Sequence, residues 1–227
     1  MAIVLVSGFM ADETLWDDML EALAPYGPVI PVALREGETI EAMAQALLPT
    51  LPAHFHLAGF SMGGYVAREI VRLVPDRVQS LILIGTSARG DTDEMIRQRR
   101  SSLKSPPERF KGLSRPAIQS SLHPALRDDA DMLARVRDMG INLGGHVFHR
   151  QSYIARDGDL DRLSDINMPT LIIAADTDAL RSPAEAQELA NGISGASLIT
   201  IPNSGHMIPL EQPDALASVM TDWLQGF

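Results

Sequence analysis

The chain has 227 residues, 45% of them hydrophobic, enough to bury one α/β core and to carry an insertion. Its formal net charge of −10 argues against nucleic acid as a partner, because phosphate binding needs a basic face. With no cysteine, it forms neither disulfides nor thiolate metal sites and has no cysteine nucleophile.

The first apolar run, residues 3–6, predicts a strand. It is short and no basic residue precedes it, so it does not read as a secretory signal. No apolar stretch approaches the roughly 20 residues that span a bilayer. A cytoplasmic protein with no membrane partner is therefore expected. A second strand is predicted over 29–32, then a helix whose apolar face is Ile40, Met43, Ala44, Leu47 and Leu51. Residues 55–58 give a third strand. The helix after it carries Met62, Val66, Ile70 and Leu73 and stops before Pro75. A fourth strand is predicted over 80–84.

The strand–helix alternation then breaks. Residues 86–168 show no convincing strand, and Pro106, Pro107, Pro116 and Pro124 divide the stretch into short helical pieces. Its first part is locally basic. Arg89, Arg97, Arg99, Arg100, Lys104, Arg109, Lys111 and Arg115 outnumber Asp91, Asp93, Glu94 and Glu108. The alternation resumes with strands over 170–175 and 197–201. A last helix follows, with Pro213 in its first turn and Leu216, Val219, Met220, Trp223 and Leu224 on one face. Short, continuously apolar strands alternating with helices predict a doubly wound, mostly parallel α/β sheet. The expected core is 1–85 plus 169–227, with 86–168 a helical insertion above it.

Gly59-Phe60-Ser61-Met62-Gly63 lies where a strand ends and a helix begins, and it fits G-x-S-x-G. In such a nucleophile elbow the serine has a strained backbone and an exposed Oγ. Gly59 and Gly63 remove side chains that would collide across so tight a turn. Ser61 also stands at a helix N-terminus, where free N–H groups and the dipole favour negative charge. A serine needs a base and an acid that orients it. His206, in Pro202-Asn203-Ser204-Gly205-His206, follows the last strand and is expected at the same C-terminal edge of the sheet. Asp176 and Asp178 both follow the strand over 170–175, and either completes the order Ser, Asp, His. His54 and His56 flank a strand, and His123, His146 and His149 belong to the insertion. His146 and His149 have the spacing to share a helix face, but a metal site of two histidines is the weaker reading. No metal and no cofactor are expected.

Taken together, these residues resemble the α/β-hydrolase superfamily in its single-domain, esterase-like branch, over essentially the whole chain. The likeness rests on Leu5-Val6-Ser7-Gly8-Phe9 with Leu15-Trp16, the GFSMGG elbow and Arg77-Val78 leading into Leu81–Thr86. It also rests on Met168-Pro169-Thr170, Ser204-Gly205-His206 and Leu210-Glu211-Gln212-Pro213. The resemblance implies a catalytic triad of Ser61, Asp178 and His206, since the family's Gly-x-x-Asp spacing favours Asp178 if Ala175 takes the glycine position. It implies an oxyanion hole from the backbone N–H groups of Phe9 and Met62. Where the family often has His-Gly before the first donor, this chain has Ser7-Gly8, which changes how that loop is held. The insertion falls where the family places a cap. Its Tyr153, His146 and His149 either line the substrate pocket or pack within the cap, and its basic cluster is either an anion-recognition surface or a solvated face. The expected activity is hydrolysis of a small-molecule ester or related acyl compound. A menaquinone-pathway type lyase shares the triad but typically has arginine after the second elbow glycine, where this chain has Tyr65. A carbon–carbon bond hydrolase, a cofactor-free perhydrolase and a hydrolase-fold ligand receptor share the same residues.

Overall fold

The computed structural model describes every residue except Ser102 and Lys104. Six parallel strands form one sheet in the order β2-β1-β3-β4-β5-β6: β1 Ala2–Val6, β2 Val29–Val32, β3 Phe55–Phe60, β4 Val78–Ile84, β5 Thr170–Ala175 and β6 Ser197–Ile201. Successive side chains of a strand point to opposite faces. Ile3 and Leu5 therefore enter one core with Phe60, Ile82, Ile84 and Ile173, while Val4 and Val6 enter the other with Leu57, Leu83 and Ile172. Because both faces are covered, the central strands are mostly apolar, and the buried His56 of β3 is paired with Ser80 of β4 at 2.8 Å. β2 and β6 are the two edge strands, and Ile199 of β6 is exposed.

The helices are α1 Leu20–Leu23, α2 Ile40–Leu47, α3 Met62–Leu73, α4 Asp93–Ser101, α5 Arg115–Ser121, α6 Ala130–Tyr153, α7 Pro183–Gly192, α8 Ile208–Glu211 and α9 Pro213–Leu224. Helix α2 is capped by Thr39, whose side chain accepts the Ala42 N–H at 3.0 Å. It stops at Leu47 rather than reaching Leu51, and a 3₁₀ turn over Leu48–Thr50 follows. Pro49 explains this: it has no N–H to continue the ladder. Strand β3 runs two residues beyond its expected end, so the chain passes from strand into elbow with no intervening loop.

Between β4 and β5 the described residues are helical or irregular, with no strand. The two ends of this segment are tied to each other. Asp159 N–H donates to the Ala88 carbonyl at 2.9 Å and Asp91 N–H to the Arg156 carbonyl at 2.8 Å. Beyond Asp159 the chain is already back in the main core, where Leu163 and Ile166 are buried with β5 and α7. No helix among the described residues is long and apolar enough to cross a membrane.

Candidate active site

Ser61 is the last residue before α3 and has φ 53° and ψ −115°, a positive φ that few non-glycine residues adopt. Its N–H donates to the Ile84 carbonyl at 2.9 Å, and its carbonyl accepts the Thr86 hydroxyl at 2.7 Å. β4 thus holds the elbow from the side. The glycines around it are required by contact. A Cβ on Gly59 would lie 2.5 Å from the Gly63 carbonyl oxygen. One on Gly63 would lie 2.5 Å from the Ser7 carbonyl oxygen and still closer to that of Val6, so this glycine admits β1 as well as its partner across the turn. One on Gly64 would strike the Thr86 side chain, with Cβ at 2.6 Å.

Opposite Ser61 stands His206, on the loop after β6. Its Nε2 is 2.9 Å from Ser61 Oγ and its Nδ1 is 2.7 Å from Asp178 Oδ2. An ionised carboxylate only accepts, so Nδ1 carries the hydrogen toward Asp178 and Nε2 is left to accept from the Ser61 hydroxyl. Asp178 is fixed in turn, with Oδ1 accepting the N–H groups of Leu180 at 2.7 Å and Arg181 at 2.9 Å. Ser61 and His206 are both buried, 8% and 5% exposed. The site is therefore shielded from bulk water, and Phe60 packs against the imidazole at 5.1 Å between ring centroids.

Asp176 makes different contacts. Its carboxylate accepts the N–H groups of Asn203 at 2.9 Å and Ser204 at 3.2 Å, so it shapes the loop that carries His206. Burial works against its charge, but the Asn203 and Ser204 N–H groups and the Thr177 hydroxyl outweigh it and hold this carboxyl below the ordinary range. Glu211 supports the same loop from the other side. It accepts from Gly205 N at 2.7 Å, His123 N at 3.1 Å and Met207 N at 3.1 Å. Burial nonetheless pushes its pKa up. Leu210-Glu211-Gln212-Pro213 is part of the family likeness, but the contact of Glu211 with His123, 88 positions away, is not readable from the sequence.

The Phe9 N–H has no acceptor among the described residues, and Met62 is the first residue of α3, where no intrahelical acceptor exists. The loop after β1 is held partly by Ser7. Its hydroxyl donates to the Asp12 carbonyl and accepts from Trp16 Nε1, both at 3.0 Å. Gln151, on α6, also reaches this loop: its Oε1 accepts the Met10 N–H at 2.8 Å.

The remaining expected residues are not gathered at Ser61. Tyr153 is 58% exposed with the Arg100 guanidinium over its ring. His146 is exposed, 3.6 Å from Glu108, and half-buried His149 pairs with the Ser105 carbonyl at 2.9 Å. No group of side chains suited to a metal ion occurs among the described residues. Within the basic cluster, Arg89 pairs with Glu188, Arg97 with Glu94, Arg99 with Asp91 and Arg115 with Asp128. Lys104 lies outside the described residues.

The model of the alpha/beta hydrolase family matches residues 3–219. A pimeloyl-[acyl-carrier protein] methyl ester esterase of Aromatoleum aromaticum is 26% identical, the match covering 99% of this chain and 98% of that one. The structure of a thermophilic esterase from Thermogutta terrifontis superposes with a TM-score of 0.86 at 28% identity, covering 100% of this chain and 90% of that one. An enol-lactonase from Burkholderia xenovorans has the same fold at 22% identity, with a TM-score of 0.87 and coverage of 99% and 91%. With nearly the whole chain matched by the family's model, this protein belongs to the alpha/beta hydrolase family.

Proposed function

We propose that this protein is a serine hydrolase that cleaves a small-molecule ester or related acyl compound through an acyl-enzyme. The observation that carries the reading is the continuous chain from Ser61 Oγ to His206 Nε2, and from His206 Nδ1 to Asp178, in a shielded site. His206 takes the Ser61 proton as Oγ attacks the carbonyl carbon, then delivers it to the leaving alcohol. Asp178 holds the imidazole in the required tautomer and stabilises its cation. The N–H groups of Phe9 and Met62 bind the oxyanion, an effect worth about 10²–10³ in rate per donor. Water, activated by His206, then releases the acid and regenerates Ser61. No step needs a metal or a cofactor. The helical layer between β4 and β5 acts as a cap. The Ser121 carbonyl in that layer accepts the N–H groups of His206 at 2.9 Å and Met207 at 3.3 Å. An ester as substrate class is supported by the relatives named as esterases.

The test is covalent labelling with a fluorophosphonate, read by intact mass, alongside turnover of a p-nitrophenyl ester. The wild type should take up one equivalent and turn over the ester, and Ser61→Ala should do neither. Equal labelling of the two proteins would remove Ser61 as nucleophile. A chelator should leave turnover unchanged, and loss with EDTA that a divalent cation restores would overturn the mechanism.

A further inference from the structure

Gln151 is fully buried and lies on α6, 141 positions along the chain from Met10. Both ends of its amide are used. Oε1 accepts the Met10 N–H at 2.8 Å, and Nε2 donates to the Leu34 carbonyl at 2.7 Å. One side chain thereby ties the loop after β1 to the loop after β2, and both to the helical layer above the sheet. Helix α6 breaks at Gly144, where φ is 83°, and its two parts hold this loop at two more points, Phe148 beside Gln151 after the break and Asn142 before it. The Phe148 ring meets the edge of Phe9 at 6.1 Å between centroids, and Asn142 Nδ2 donates to Asp12 Oδ2 at 3.0 Å. Met10 itself has φ 52°, a backbone state that persists only where its surroundings enforce it.

We infer that Gln151 is a positioning residue that sets the Phe9 N–H for oxyanion binding and links the seating of α6 to the assembly of the oxyanion hole. The inference rests on the hydrolase reading above. Its physical basis is the order of the chain. The Met10 N–H belongs to the peptide that follows Phe9, so fixing that peptide plane and the Phe9 ring leaves the Phe9 N–H little freedom. The Ser7 hydroxyl holds the other end of the loop. If the part of α6 after Gly144 lifts, the Met10 and Phe148 anchors go together and the donor loses its aim. A displacement of about 1 Å at such a donor is enough for a hundredfold effect on rate.

A purely structural glutamine would affect all substrates alike, and this gives the test. Gln151→Met keeps the volume and removes both hydrogen bonds. It is compared with the wild type on a p-nitrophenyl ester and on the matching thionoester, whose sulfur is the weaker acceptor for oxyanion donors. The variant should lose about 10–100-fold in kcat on the ester with KM within about threefold, and the ester-to-thionoester ratio should fall at least about fivefold. Equal losses on both substrates, or none, would overturn the inference and leave the hydrolase reading standing. Gln151→Glu guards against a methionine variant that does not fold. Its protonated form repeats one acceptor and one donor, whereas its ionised form cannot donate to Leu34. Because an acceptor for the Met10 N–H remains in either form, the ester-to-thionoester ratio should fall less in this variant than in Gln151→Met, and a ratio as low as in Gln151→Met would overturn the inference. Amide exchange at Met10 separates the two ideas. It should quicken in the variants whatever the activity, so quickened exchange in a protein whose wild type turns over neither substrate would sink the hydrolase reading instead.

Discussion

Asp176 and Asp178 are two residues apart, yet only Asp178 meets the imidazole. The Asp178 carboxylate joins His206 to two backbone N–H groups of its own loop, while Asp176 caps the turn that brings His206 across. Asp178→Asn would place an amide where the Nδ1–H needs an anion, and kcat should fall at least about a hundredfold. Asp176→Asn should cost less than about tenfold in kcat, because the imidazole keeps its partner. Its effect belongs to stability. The Asp176 carboxyl is held below its ordinary pKa of 3.8, so its contribution is present above that value and is lost as pH falls through the lower folded-state value. Thermal unfolding of wild type and Asp176→Asn should thus differ at neutral pH and converge in strong acid. Exchanged kcat effects in the two variants would make Asp176 the acid.

At the scale of elements, the elbow is where β1, β3, β4 and α3 meet with no room for a methyl group. The cost of this packing is a serine at positive φ, held by the Ile84 carbonyl and the Thr86 hydroxyl. Gly63→Ala would force a Cβ against the carbonyls of Val6, the last residue of β1, and Ser7 just after it, backbone groups that cannot rotate away as a flexible side chain would. A destabilisation of about 1–3 kcal/mol in urea unfolding is expected, together with slowed fluorophosphonate labelling of Ser61. Normal stability and labelling in that variant would show that β1 can move aside. The same strands explain why the site lies at one edge of the sheet. In a parallel sheet, β1, β3, β5 and β6 all deliver their following loops to the C-terminal side.

At the scale of the whole molecule, a buried ion cluster joins the segment between β4 and β5 to α3, the helix that follows Ser61. Asp159 accepts both Nε and Nη2 of Arg68 at 2.8 Å and Arg72 Nη2 at 2.6 Å, and the Arg68 side chain is wholly buried. Burial opposes the Asp159 charge, but the hydrogen bonds and charges of Arg68 and Arg72 outweigh it and lower its pKa. Asp159→Asn would leave a buried guanidinium without its anion, costing about 3–5 kcal/mol. Because the folded pKa is depressed, this contribution is complete above the ordinary value of 3.8 and disappears as pH falls through the lower one. Urea unfolding of the two proteins at pH 7 and in acid checks both statements, and a difference that persists below the folded pKa would contradict the second.

The sheet, the elbow and the histidine loop were legible in the sequence because each rests on local chemistry. Parallel strands covered on both faces are mostly apolar, with an exception such as His56 paired to Ser80, a tight strand-to-helix turn needs glycines, and prolines tend to end or start helices. The strands over 29–32, 170–175 and 197–201 and helix α3 accordingly lie where the pattern puts them. The choice between Asp176 and Asp178 was not legible from spacing alone; the family resemblance favoured Asp178, and the pairing with His206 follows from how β5 and β6 lie side by side. Tertiary structure alone decided the rest. Gln151 and Asp159 resemble ordinary surface residues in the sequence, and they matter because folding removes water from them and brings side-chain partners from 87 to 141 positions away. A hydrogen bond gains its structural weight only once its groups are desolvated, and no linear pattern records which groups those are.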